Sequence, residues 1–213
     1  MSCRNVTINA GVSGMGKSTF GLRYLVNAPL SVRYLFDPEP GEFNPDKGEY
    51  ADRLGLTPAC TAYELDLSLC QGWIAFDPHT LFPGRLEAAL DFFCEWAWET
   101  AGRIPGEKII QIDEVWKYCS PQSIPKPLQT IVQSGRKRKL RLMVNTQEPN
   151  RLNSSLLNGA SEVVAFRLQS NPALDVAEKN WGLKREEIAA LQPLQFVARN
   201  CDSGGELRGR LKL

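Results

Sequence analysis

The segment Gly11-Val-Ser-Gly-Met-Gly16-Lys17-Ser18 fits the pattern G-x-x-x-x-G-K-[ST] at every fixed position. No other feature of the chain constrains its fold as tightly. A β-like run, Val6-Thr-Ile-Asn-Ala10, precedes it, and a helix-like run, Thr19 to Asn27, follows. That is the strand-then-helix context the pattern requires. Glycines let successive backbone N–H groups turn inward around phosphate oxygens, and the N-terminus of the following helix favours negative charge. The pattern therefore assigns Gly11, Ser13, Gly14, Met15, Gly16, Lys17, Ser18 and Thr19 to a nucleotide cradle. Lys17 is expected to reach the β- and γ-phosphates of ATP and the Ser18 hydroxyl to ligate Mg²⁺. An ordinary glycine-rich turn is the alternative, and a second acidic motif downstream counts against it.

A chain of 213 residues suits one large α/β domain, 1–213, better than two small ones. With 43% hydrophobic and 23% charged residues it has enough apolar material for a full core. A net charge of +1 supplies no global field toward nucleic acid or membranes, so any basic partner surface must be local. The six cysteines, at 3, 60, 70, 94, 119 and 201, form no C-x-x-C pair, and His79 is the single histidine. This argues against a zinc site and for reduced thiols of a cytosolic protein, several of them buried. His79 falls in a turn-like Asp77-Pro-His-Thr80 and is assigned no role. Neither a signal peptide nor a run of membrane-spanning length is evident.

Apolar runs alternate with amphipathic stretches, the pattern of βαβ units. The expected fold is α/β, a P-loop NTPase with a mainly parallel central sheet flanked by helices. Strands are expected at 6–10, 32–36, 73–76, 108–112, 140–145, 163–168 and 194–199, with a last one over 206–212. Helices are expected at 17–26, 84–101, 127–138, 173–181 and 185–191, and Asp37 to Asp52, rich in Pro, Gly and acids, reads as a loop.

Ile109-Ile-Gln-Ile-Asp113-Glu114 is an apolar strand ending in two acids, the Walker B pattern. A buried strand delivers such acids to its C-terminal edge, where open α/β sheets place their ligands. Asp113 is expected to hold Mg²⁺, directly or through water, and Glu114 to polarise the attacking water as a general base. Leu140-Arg-Leu-Met-Val-Asn145-Thr146-Gln147 is a strand with a polar tip. Gln147 is the candidate sensor of the γ-phosphate and water; a plain strand exit is the bland alternative. Gly135-Arg136-Lys137-Arg138-Lys139-Leu140-Arg141 concentrates basic residues. It reads as an arginine finger toward a neighbouring subunit, as a contact with nucleic-acid phosphates, or as a solvated helix end. Arg136 is the first finger candidate, with Arg138 and Arg141 as rivals.

These pieces, with Asp37-Pro-Glu-Pro-Gly41-Glu42-Phe43 between them, resemble in order the FtsK/HerA superfamily of P-loop motor ATPases. More narrowly, the chain is similar to the genome-packaging ATPases of internal-membrane, double-jelly-roll (tectivirus-like) phages and viruses. The match covers most of the chain outside roughly 50–100. The resemblance implies a RecA/FtsK-HerA-like fold and ATP hydrolysis with Mg²⁺. By position it implies Lys17 and Ser18 on nucleotide and metal, Asp113 on metal, Glu114 as base, Gln147 as sensor and Arg136 as a finger acting in trans. It further implies a homo-oligomeric ring, usually a hexamer, that moves double-stranded DNA into a preformed capsid. Capsid or packaging-vertex proteins would be partners, and the host cytoplasm and the virion packaging vertex the location, with no membrane span. The alternatives are a Zot-like or conjugation-type export ATPase and a nucleotide-dependent switch that is not a motor.

Three weaker constellations remain. Asp91-Phe-Phe-Cys-Glu-Trp96-Ala-Trp98 places Phe92 and Trp96 on one helical face, with Phe93 near another, a stripe that reads as core or as a subunit contact. Lys117–Pro127 reads equally as a pore segment, with Lys117 and Lys126 toward DNA, or as a Pro-stiffened surface loop. The terminal Arg208, Arg210 and Lys212 alternate as in an edge strand.

Overall fold

The computed structural model describes residues 5–212, so Cys3 lies outside the described residues. In chain order the elements are β1 (Val6–Ala10), α1 (Lys17–Asn27), β2 (Val32–Phe36), α2 (Glu49–Leu54), α3 (Ala62–Leu69), β3 (Trp73–Phe76), α4 (Leu86–Ala101), β4 (Lys108–Ile112), α5 (Lys126–Ser134), β5 (Leu140–Thr146), α6 (Ser154–Gly159), β6 (Ala160–Ala165), α7 (Asn171–Lys179), α8 (Arg185–Ala190), β7 (Gln195–Asn200) and β8 (Glu206–Arg210). The result is a mixed α/β fold whose eight described strands are mostly parallel and flanked by helices, as the alternation predicts. The chain divides into two compact units.

The first unit takes residues 1–26, 114–124 and 143–213. Its strand order is the end of β5, then β1, β6, β7 and β8. β1 runs parallel to β6, from Val6↔Ala160 to Ala10↔Ala165, while β6–β7 and β7–β8 are antiparallel. Every residue of β1 is buried, including Asn9, which donates to Asn145 Oδ1 at 2.8 Å. Without such a bond two buried amides would each carry a desolvation cost. β8 is the exposed strand; Arg208 on it is bound to Glu187 and Glu206.

The second unit takes residues 27–113 and 125–142, with the order β3, β2, β4 and the start of β5. β2 is parallel to both neighbours, and Phe36 pairs in register with Phe76 on β3 and Ile112 on β4. One residue later in each strand stands an aspartate, so Asp37, Asp77 and Asp113 follow the same sheet edge. The core of this unit is aromatic. Phe93 of α4 is fully buried and stacks on Phe76 at 5.2 Å, with Phe36 at 5.9 Å and Trp96 at 6.0 Å. The stripe on α4 is thus core, but its centre is Phe93; Phe92 and Trp96 are half-buried.

The structure corrects several boundaries. α2 begins inside the expected 37–52 loop, and α3 and α6 were not expected. Six residues, the length of α2 and α6, are too few for a helical period to emerge. α3 does carry a legible signal: Thr61 accepts from the Glu64 N–H while Glu64 caps back. β6 occupies Ala160–Ala165, not 163–168, because its pairing with β1 starts at Ala160. The expected 127–138 helix ends at Ser134 and tightens into a 3-10 turn, Gly135–Arg138, closed by Lys139 in the left-handed region at φ 52°.

Candidate nucleotide site

The Gly11–Ser18 loop joins β1 to α1 and is fixed by backbone bonds within the first unit. Gly11 N–H donates to Thr146 O at 3.1 Å, Val12 N–H to Arg167 O at 3.0 Å, and Leu194 N–H to Met15 O at 3.1 Å. Gly14 and Gly16 lie at φ 73° and 110°, where side chains are strained. A Cβ on Gly16 would also press on Leu194, Leu211 and Phe166 at 3.1–3.3 Å. Ser13 and Gly14 form the exposed tip, and Ser18 and Thr19, in the first turn of α1, are half-buried. Met15 is 3% exposed and buried against Phe166 and Val164. Its side chain anchors the loop, so any contact it makes with a nucleotide must come from its backbone.

Lys17, Glu114 and Gln147 come together in this unit. Lys17 is 6% exposed; its ammonium donates to Val12 O at 3.3 Å and lies 3.8 Å from Glu114 Oε1. Gln147 grips the Glu114 carboxylate twice, through its amide to Oε1 at 2.8 Å and its backbone N–H to Oε2 at 3.2 Å. The Trp116 indole N–H donates to Oε2 at 2.5 Å. Arg151 caps that indole, its guanidinium 4.5 Å from the ring centre. Glu114 itself sits at φ 43°, in the left-handed region that costs a non-glycine residue of order 1 kcal/mol. Backbone strain of this kind clusters at functional sites, and here three hydrogen-bond donors converge on the strained residue's carboxylate.

Asp113 closes β4 in the second unit. Its Oδ2 accepts from the Tyr50 hydroxyl at 3.2 Å, and that hydroxyl accepts from Gln111 Nε2 at 3.0 Å. Burial first, and then the charge of Asp113, push the Tyr50 phenol well above its ordinary range, so it remains a donor. Burial and then Asp113 likewise push the Glu49 carboxyl up. Asp37 accepts from the N–H groups of Tyr50 and Ala51 at 2.9 and 2.8 Å. It is 2% exposed, and burial above all raises its carboxyl to about 7. Sequence reasoning missed Trp116, Arg151, Tyr50 and Gln111. Gln111 left a trace, an amide inside an otherwise apolar strand core; Tyr50 left none.

Among the described residues no three His, Cys, Asp or Glu side chains cluster as a metal cage. Mg²⁺ on a nucleotide needs less: one or two protein oxygens beside phosphate oxygens and waters. The second unit offers one oxygen donor of that kind in Asp113, and the first offers one in the Ser18 hydroxyl.

In the basic cluster, Arg136 and Lys137 are exposed. Arg138 stacks 4.0 Å over Trp98, bonds to Trp98 O and pairs with Glu99 at 3.6 Å, so it is engaged within its own unit. Arg141 is half-buried on β5. The segment after Glu114 is fastened by Asn153, which donates to Ser120 O at 3.4 Å and Pro121 O at 3.0 Å. Lys117 on it is exposed, and Lys126 opens α5. His79 does occupy a turn, 2.7 Å from Asp77. The five described cysteines are free thiols, of which only Cys94 and Cys119 are buried.

Solved structures share this architecture. The genome packaging NTPase B204 from Sulfolobus turreted icosahedral virus 2, in complex with AMP, matches with a TM-score of 0.76 at 16% identity over 100% of both chains. The likeness is one of fold: a mostly parallel sheet flanked by helices, as in these P-loop ATPase structures. VirB4 of Thermoanaerobacter pseudethanolicus matches with a TM-score of 0.65 at 15% identity over 98% of this chain and 89% of that one. The N-terminal domain of zonular occludens toxin from Neisseria meningitidis matches with a TM-score of 0.50 at 12% identity over 99% and 96%. No family model matches the sequence, and no curated protein does. Among the described residues no helix is long and apolar enough to cross a membrane.

Proposed function

We propose that residues 1–213 act as one ATPase domain, the subunit of a ring motor that hydrolyses ATP with Mg²⁺ to drive double-stranded DNA into a preformed capsid. The observation that carries the hydrolytic part is the cluster of Lys17, Glu114 and Gln147, in which Lys17 and Gln147 both meet the Glu114 carboxylate directly. Lys17 neutralises the β- and γ-phosphates held by the loop N–H groups from Gly11 to Thr19. Glu114 accepts the proton of the water that attacks the γ-phosphorus, and ADP leaves as its terminal oxygen gains the charge. Each carboxylate oxygen has two lone pairs, so Glu114 can serve as base while Gln147 keeps hold of it. Gln147 thereby ties the state of the γ-phosphate to the aim of the base. Ser18 and Asp113 would hold Mg²⁺, which when bound would supply charge neutralisation to the phosphates. Arg136, the exposed arginine of the 3-10 turn, is the finger offered to a neighbouring subunit of the ring, which we take to be a hexamer.

DNA as cargo is supported by the likeness to B204, a DNA-packaging ATPase, and a capsid vertex in the host cytoplasm is the place of work we propose with it. The similarity to VirB4 supports a second reading, an export-type ATPase. Steady-state hydrolysis with linear double-stranded or single-stranded DNA tests the two. Stimulation by the duplex supports packaging. Stimulation by single strands alone supports export. Arg136→Ala should lose turnover while binding ATP, and undiminished turnover refutes the finger.

A further inference from the structure

β4 buries Ile109, Ile110 and Ile112, and between them it buries the amide of Gln111 at 0% exposure. That amide spends its N–H on the Tyr50 hydroxyl, and its own oxygen, Oε1, has no hydrogen-bond partner. An unpaired buried acceptor loses its hydration with nothing in exchange, and a leucine here would remove that cost. Packing therefore gives no reason for a glutamine at this position. The bond to Tyr50 does. A hydroxyl has one proton; with Gln111 donating to its oxygen, that proton is aimed at Asp113 Oδ2, 3.2 Å away. The ring that carries the hydroxyl cannot swing. Tyr50 is 1% exposed, and its backbone N–H is tied to the Asp37 carboxylate in the first turn of α2. Gly48 packs so closely under Asp37 that a Cβ would stand 2.3 Å from its carboxyl carbon. Each link of this relay lies in the second unit.

We propose that Tyr50, backed by Gln111, is the positioning residue of Asp113, holding the carboxylate in the rotamer that binds Mg²⁺. This rests on the assignment of Asp113 as metal ligand. Partners that orient a ligating side chain typically change metal affinity 10–100-fold when removed.

The test uses the full chain with a non-hydrolysable ATP analogue, and Mn²⁺ as probe, the free ion being read by electron paramagnetic resonance. Tyr50→Phe deletes only the hydroxyl and should weaken Mn²⁺ binding at least tenfold. Analogue affinity without metal should stay near the wild-type value, which a merely structural role would not predict, while the unfolding midpoint falls modestly because the buried Gln111 amide loses its acceptor. Gln111→Leu keeps Tyr50 packed but removes its donor, and should weaken Mn²⁺ in the same direction; it carries the test if Tyr50→Phe does not fold. Asp113→Asn is the comparator. If it abolishes tight Mn²⁺ binding while both relay variants stay within twofold of wild type, the positioning role is refuted and the ATPase reading stands. If Asp113→Asn itself leaves Mn²⁺ binding unchanged, Asp113 is not the ligand and both proposals fall.

Discussion

Raising the pH from 5 to 8 should weaken the fold through one buried carboxyl, Asp37. Burial, against the pull of two backbone N–H groups, lifts its pKa to about 7, from about 3.9 in an unfolded chain. Between those values the folded protein holds a proton that the unfolded protein has released. Stability therefore falls as pH rises through this window and levels off above about 7. From pH 5 to 7 the loss is roughly two pKa units at about 1.4 kcal/mol each, about 3 kcal/mol in all. Screening removes little of it, since the residue is 2% exposed. Asp37→Asn abolishes the titration and keeps an oxygen for one of the two N–H groups; the other loses its acceptor, at a cost of about 1 kcal/mol at every pH. Urea unfolding of both proteins at pH 5 and pH 8 reads the effect. The wild-type free energy minus that of the variant should fall by about 3 kcal/mol between the two, while groups common to both cancel. A difference constant to within about 0.5 kcal/mol would refute the assignment of a raised, buried carboxyl.

Three further outcomes are expected. Trp116→Phe removes the indole donor from Glu114; losing one charge-assisted hydrogen bond should lower kcat about tenfold with nucleotide affinity within about twofold, read by steady-state kinetics and titration. Gly48→Ala drives a Cβ to 2.3 Å from the Asp37 carboxyl carbon, and should cost about 1–3 kcal/mol in urea unfolding. Phe93→Ala empties the centre of the aromatic core and should cost about 3–5 kcal/mol by the same assay.

The parts of the site that were legible in the sequence are those whose chemistry needs a fixed local pattern. The phosphate loop requires glycines where φ is positive, and Gly14 and Gly16 are there. An apolar run ending in Asp113-Glu114 announced a buried strand with acids at its edge, and β4 has that form. Gln147 stood at a polar strand tip, and it reaches Glu114. What sequence could not supply was the partners that arrive from elsewhere in the chain. Tyr50 belongs to a six-residue helix inside a stretch whose Pro, Gly and acid content reads as loop. Its pairing with Asp113 spans 63 positions, and no local periodicity encodes such a contact. Trp116 lies two residues from Glu114, yet only the left-handed backbone at Glu114 turns the indole back onto the carboxylate. The shifted start of β6 has the same origin: strand ends follow pairing with β1, not composition.

The most direct test of the central claim is single-turnover ATP hydrolysis by wild type and Glu114→Gln, with ATP affinity measured alongside. The account predicts that both bind ATP with Mg²⁺ and that the variant hydrolyses it at least about 100-fold more slowly. Hydrolysis by Glu114→Gln at the wild-type rate, or ATP binding by wild type without any turnover, would contradict it.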